Sequence, residues 1–220
     1  MMRLLGAVIT AAVFGNVAML LANQNAASLE WRKEMDQVNQ SMRSMDIAPE
    51  LQERIRAYFE YVWLTHGGSS GKKWMWMLTD TLHANLLMHI NQHMISKVKI
   101  FRSADPRFVM AIILKFENKL YLPGDFVIVA GTVGKEMYFV AKGMVEILAD
   151  VNGSERLVTT LHDGDYFGEI ALLSRSRRTA SARAKTYVEL NMLSREDFDE
   201  VCAEFPRDAR ILRDVARSRL

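Results

Sequence analysis

Hydrophobic positions change their rhythm several times along this chain, and each change predicts a different element. Leu4 to Ala22 carries no charged residue at all. As a helix it would reach roughly 28 Å, against a bilayer hydrocarbon core of about 30 Å. Gly6, Thr10, Gly15 and Asn16 within it suit packing against other helices or a pore rather than lipid. A secretory signal peptide or a buried soluble helix are the alternatives for this stretch. From Ala27 to Met45 the pattern becomes polar-amphipathic, with Leu29, Met35, Val38, Met42 and Met45 at helical steps. Asp46 to Pro49 breaks it, and Pro49 suits the first position of a new helix. Leu51, Ile55, Tyr58, Phe59 and Val62 mark that second amphipathic helix, which stops at Gly67-Gly68 in a loop extending to Gly71. Leu78 to Ile100 reads as one or two further helices.

Behind them the period shortens. Asp105-Pro106 opens a helix running through Met110, Ile113 and Leu114. After the turn Pro123-Gly124-Asp125, short apolar runs alternate with glycine-bearing turns as far as Leu161, and Val151-Asn152-Gly153-Ser154 is a hairpin signal. Ala180, Ala182 and Ala184 alternate as in a strand, and Val188 to Leu193 forms a last one. About eight short strands fit a β-roll or jelly roll. Ser194 then caps a helix with Asp197 in its first turn. Pro206 separates it from a final helix, Arg207 to Leu220, in which Leu212, Val215, Ala216, Arg219 and Leu220 share a face.

Composition narrows the function classes. Half of the 220 residues are apolar, enough for a substantial core. A net charge of only +2 argues against a general nucleic-acid binder. The lone Cys202 excludes an intrachain disulfide framework and fits a reducing compartment. The 14 methionines read as helix core. His89 and His93 stand four apart, but no third ligand accompanies them, so they read as surface or interface histidines and no metal is expected. Lys72, Lys73, Trp74 and Trp76 read as a helix start packed on its neighbours. No nucleophile–base pair emerges, and an enzyme is not expected.

The chemistry concentrates in Asp163 to Ala184, D-G-D-Y-F-G-E-I-A-L-L-S-R-S-R-R-T-A-S-A-R-A. Asp163, Gly164 and Asp165 suit a tight bend, and Gly168 lets the backbone approach a ligand with no Cβ in the way. Glu169 opens a short apolar run, and the free N–H groups at the start of one helical turn suit an anion. Arg177, Arg178 and Thr179 follow, so one arginine is delivered from a strand towards that turn. Guanidinium is the group of choice for planar phosphate recognition. Ionised Glu169 could accept from a sugar hydroxyl beside the phosphate.

G-E-x-A-L followed by R-T-A resembles the phosphate-binding cassette of the cyclic-nucleotide-binding domains. Val127 to Gly134, then Met137-Tyr138-Phe139-Val140 and Gly143, is similar to that family's other signature. Further forward, Phe14-Gly15-Asn16-Val17 and Asn25-Ala26-Ala27 resemble the end of the pore-lining helix in cyclic-nucleotide-gated and ether-à-go-go-type channels. The helical stretch behind it resembles their C-linker.

The resemblance implies the sensor half of a cation channel, potassium or non-selective, of the hyperpolarisation-activated and cyclic-nucleotide-gated type. The expected fold is α+β. A membrane-spanning helix end occupies residues 1–25 and a helical C-linker 26–103. Residues 104–220 would be a β-roll of double-stranded jelly-roll type with flanking helices, forming the cyclic-nucleotide-binding domain. It implies that Arg178 pairs with the cyclic phosphate and Glu169 with the ribose 2′-hydroxyl. Gly168, Ile170 and Ala171 would line the cassette, and Thr179 would offer a hydroxyl to phosphate or a syn purine. Ile147, Thr159 and Leu161 would face the base, with Arg219 reaching it from the final helix. The ligand would be cAMP or cGMP, with no cofactor. Expected partners are three further copies or other channel subunits, and the membrane through the N-terminal helix, with no nucleic acid. The location would be a plasma or ciliary membrane with the sensor in the cytoplasm. On this reading the chain is a fragment or an incomplete gene product and does not conduct ions alone.

The alternative is a soluble cyclic-nucleotide-binding regulator. A transcription factor of the catabolite-activator type would be told apart by a helix-turn-helix beyond the lid. A kinase regulatory subunit would carry tandem cassettes and usually alanine where Thr179 stands. An ether-à-go-go-type domain that had lost its ligand would show a broken cassette, and this one is intact.

Overall fold

The computed structural model describes residues 28–66, 75, 77–98, 101, 104–151, 154–170 and 176–210. The apolar stretch Leu4–Ala22, the loop after His66 with Lys72, Lys73, Trp74 and Trp76, and the chain beyond Arg210 lie outside them. Among the described residues no helix is long and apolar enough to cross a membrane. The chain divides into two compact units between Lys73 and Trp74.

The first unit contains an antiparallel helical hairpin, α1 over residues 28–44 and α2 over Pro49–His66. The break between them is a left-handed C-cap. Asp46 takes φ 51°, its N–H donates to Arg43 O, and the N–H of Ile47 donates to Met42 O. That pairing is a Schellman closure, with aspartate in the position glycine usually fills. The stripe that α1 turns inward is Trp31, Met35, Val38 and Met42, not the row ending in Leu29 and Met45, which are 52% and 72% exposed. Trp31 stacks on Trp63 at 5.1 Å and tilts against Phe59 at 6.2 Å. Arg56 Nε donates to Asn39 Oδ1 at 2.9 Å.

The second unit holds α3 (Asp80–Ile90), α4 (Gln92–Lys97), α5 (Pro106–Leu114), eight strands and α6 (Arg195–Glu204), with a helical stretch over 206–210. The strands β1 (Glu117–Tyr121), β2 (Phe126–Ile128), β3 (Glu136–Lys142), β4 (Val145–Val151), β5 (Ser154–Leu161), β6 (Tyr166–Phe167), β7 (Ser181–Ala184) and β8 (Val188–Ser194) form two antiparallel sheets. Their orders are β1-β8-β3-β6 and β2-β7-β4-β5. Strand β1, E-N-K-L-Y, was not expected from sequence. It is a polar edge strand with three exposed positions and lacks an alternating pattern.

Period-2 geometry explains why β3 reads as an unbroken apolar run. Tyr138 and Val140 point between the sheets, where they meet Ile128, Val145, Phe167, Ala182, Val188 and Leu190. Met137 and Phe139 point the other way, into a second core shared with the helices. Met94, Val98 and Phe101 belong to that second core, together with Phe108, Ile112, Phe198 and Val201. The helices α3 and α4 therefore lie in one compact unit with the roll, whereas the channel resemblance groups residues 26–103 as one helical linker. A part-buried amide pair joins them to it: Asn191 Nδ2 on β8 donates to Asn91 Oδ1, between α3 and α4, at 3.0 Å. His89 and His93 are both exposed and sit on different helices, separated at Asn91.

The helix start read at Asp105-Pro106 and the cap read at Ser194 are in place. Asp105 accepts from the N–H of Arg107 ahead of Pro106, and Ser194 accepts from that of Asp197. Val151 pairs with Ser154 across the β4–β5 hairpin, and the ladder has a bulge between Ile147 and Leu148.

Candidate functional site

Strand β6 ends the first sheet and hands the chain to a turn at Gly168, after which Glu169 and Ile170 begin a helical turn. Gly168 needs to be glycine twice over. Its φ is +85°, and a Cβ there would lie 2.7 Å from Arg178 Nη1 and 3.2 Å from Glu136 O. The returning chain brings Arg177 into a bridge with Val133. Backbone bonds from Arg178 N to Thr132 O and from Gly131 N to Arg178 O, both 2.8 Å, lock that return against the β2–β3 connection. The paired Gly-rich and arginine segments thus meet because their backbones are hydrogen-bonded to each other.

Arg178 is 6% exposed. Its Nη1 donates to Gly168 O at 2.9 Å and its Nη2 to Glu136 O at 2.7 Å, with Glu136 Oε2 at 3.4 Å. Burial pushes its pKa below the ordinary guanidinium range, opposed by Tyr138 and Glu136, yet an arginine stays cationic at any physiological pH. Among the described residues, two neutral carbonyls and the carboxylates of Glu136 and Glu169 lie close enough to act on this charge. Five N–H donors are more than the three contacts with Gly168 and Glu136 use. Glu169, also 6% exposed, stands one residue beyond the glycine.

Both residues open onto a cavity of about 210 Å³. Its floor is apolar and comes from both sheets: Ile128, Ile147 and Ala182 from one, Tyr166 and Phe167 from the other. Thr159 and Thr179 are exposed and stand at its mouth. One end therefore offers a buried cation, a carboxylate and the turn's backbone. The other offers aliphatic and hydroxyl side chains of β4 and β5. An anionic ring bearing a hydroxyl and a flat apolar base matches that division.

Residues 118–205 match the family described as the cyclic nucleotide-binding domain. That stretch is a cyclic nucleotide-binding domain. Nearly the whole chain is similar to part of several longer proteins. It is 31% identical over 220 residues to the human cyclic nucleotide-gated channel alpha-3, covering 97% of this chain and 31% of that protein. It is 31% identical over 209 residues to the chicken cyclic nucleotide-gated channel rod photoreceptor subunit alpha, covering 92% and 32%. It is 33% identical over 222 residues to the rabbit potassium/sodium hyperpolarization-activated cyclic nucleotide-gated channel 4, covering 99% and 18%. The chain is homologous to these channels over a region that includes the domain, and it spans less than a third of the length of each.

Within this cyclic nucleotide-binding domain, the cavity lining brings together Gly168, Glu169, Ile170, Arg178, Thr179, Ile147, Thr159 and Leu161 from the sequence reading. Ala171 and Arg219 lie outside the described residues. Sequence reasoning did not assign Ile128, Tyr166, Phe167, Ala180, Ser181 and Ala182 to the lining. The signal for most of them was visible, since Tyr166-Phe167 immediately precedes Gly168 and the alanines alternate. Glu136 was missed with better reason. Its main contact with Arg178 is a backbone carbonyl, which no residue type announces.

Proposed function

We propose that this chain is the cyclic-nucleotide-sensing portion of a cation channel. The phosphate of cAMP or cGMP seats on the turn at Gly168–Ile170 and pairs with Arg178. Glu169 accepts from the ribose 2′-hydroxyl, and the base lies against Ile147, Thr159 and Leu161, with Thr179 at its edge. The final helix, including Arg219, closes on the occupied roll. Residues 26–103 carry that change to a pore in the membrane, entered through residues 1–25, within a four-fold assembly. Coupling of this kind requires only that the nucleotide bind more tightly to the open state than to the closed one.

The observation that carries the reading is the nearly buried Arg178 cation, held beside Gly168 and Glu169 at one end of a largely apolar cavity. Calorimetric titration of the full chain in detergent with cAMP and with cGMP tests it. Saturable heat with at least one is expected, and absence of both heat and a melting shift with either overturns it. Charge-assisted bonds are worth ~1.5–3 kcal/mol each, so Arg178→Ala should weaken binding by roughly one to two decades. Because the guanidinium also satisfies the carbonyls of Gly168 and Glu136, that variant should melt lower as well. Exposed Arg177, which donates to Gly131 O, is the control: Arg177→Ala should change affinity less than threefold. Equal losses in the two variants would show that Arg178 is not the phosphate ligand.

A further inference from the structure

We propose that the Glu136 carboxylate is a built-in counter-ion of Arg178 that competes with the ligand's phosphate and so sets the affinity of the site. The proposal rests on the reading that the cavity takes a cyclic phosphate. Antiparallel pairing of Tyr138 with Phe167 brings the start of β3 level with the residues just beyond β6, which places Glu136 beside the phosphate turn. Two separable contacts then reach the guanidinium from this one residue. The carbonyl of Glu136 accepts from Nη2 at 2.7 Å, and with Gly168 O at 2.9 Å it fixes the plane of the fork. The carboxylate reaches the same nitrogen only at 3.4 Å, the long limit for a hydrogen bond.

The carbonyls therefore do the positioning, and the carboxylate acts through its charge. The two partners also differ in surroundings, since the Arg178 side chain is 5% exposed and that of Glu136 34%. A solvated carboxylate can swing away as an anion arrives, whereas the buried guanidinium stays. An incoming phosphate must displace that partner or settle on the remaining N–H groups of the fork, and there it stands near a like charge. Either course lowers affinity. Because the phosphate is common to both ligands, the effect falls equally on cAMP and cGMP and leaves selectivity untouched.

Glu136→Gln tests this, because it removes the charge and keeps both the shape and the backbone carbonyl. Calorimetric titration of the full chain in detergent should show cAMP and cGMP each binding about threefold to fivefold more tightly than to the wild type, the scale of partly exposed ion pairs. Their ratio should be unchanged, and the gain should shrink as salt rises. Glu136→Asp retains the charge and should stay within about twofold of wild type. Affinity in Glu136→Gln equal to or weaker than wild type overturns the counter-ion role, as does an equal gain in Glu136→Asp. A wild-type chain that binds neither nucleotide overturns this proposal together with the functional reading. Wild-type binding with no gain in Glu136→Gln overturns the counter-ion role alone.

Discussion

The hairpin of α1 and α2 and the roll unit are built from similar proportions of apolar residues but use them in different ways. In the roll, β3 alone supplies both cores: Tyr138 and Val140 face the other sheet, and Met137 and Phe139 face the helices. In the hairpin, α2 buries no residue at all, and Met42 is the buried position of α1. Its stacked Trp31 and Trp63 and the half-covered Phe59 cluster without closing a core. Two helices cannot enclose their own apolar stripes, because each side chain has a neighbour on one flank only. The contrast teaches that amphipathic patterning shows which face is apolar, while burial depends on whether something covers it.

The sharpest way to break this contrast is a cavity in the roll. Phe108 is fully buried, packed edge-on against Phe205 at 5.8 Å between α5 and the chain after α6. Phe108→Ala should cost about 3–5 kcal/mol. Hydrogen exchange localises the loss: amides of β3 and β8 should exchange faster, while those of α2 should be unaffected. Equal acceleration in α2 would show that the hairpin folds only with the roll.

Much of the roll was legible in sequence because its signals are local. The helix start at Asp105-Pro106, the cap at Ser194 and the Val151–Ser154 hairpin each depend on a few neighbouring residues, as does the start of α2 at Pro49 in the other unit. The turn at Gly168 was legible for the same reason, since the needs of that glycine are met within one loop and one returning arginine. What stayed hidden depends on partners distant in sequence. Strand β1 has no alternation because its exposed edge demands none. Trp31 replaces Leu29 in the α1 stripe because the stacking partner is Trp63, on the other helix. The approach of Glu136 to Arg178 spans 42 residues and runs mainly through a carbonyl.

A smaller effect separates conformation from contact within the roll. Gly124 and Gly168 have nearly the same backbone, φ +90° and +85°, but a Cβ at Gly124 meets nothing within 4 Å. Gly124→Ala should therefore cost only the left-handed backbone strain, about 1–2 kcal/mol, and leave nucleotide affinity unchanged. Gly168→Ala carries the same strain and also pushes on Arg178 Nη1. Differential scanning fluorimetry and calorimetry together should show it melting lower than Gly124→Ala and losing at least tenfold in affinity. Equal behaviour of the two variants would mean that the guanidinium moves aside at no cost.

The smallest expected change in stability is the most informative about the hairpin. Leu51 is 49% exposed on α2, on the apolar row that continues through Ile55, Tyr58 and Val62. If the hairpin were a finished core, replacing one of its leucines with a polar residue would cost about 1 kcal/mol or more, the penalty for burying an amide without a partner. If its face is instead made for neighbouring copies, Leu51→Gln should shift the urea transition of residues 26–220 by less than about 0.5 kcal/mol. The same variant should then weaken self-association, because a symmetric ring repeats one lost contact at every interface. Sedimentation velocity across a range of concentrations, with and without saturating cAMP, separates these outcomes. Wild-type residues 26–220 should associate more readily with nucleotide than without, since a ligand that favours assembly must be favoured by it in return. Leu51→Gln should need higher concentration for the same association while its nucleotide affinity as a monomer stays as it was. A wild type that remains monomeric in every condition would leave the nucleotide site standing and remove assembly as the use of this face.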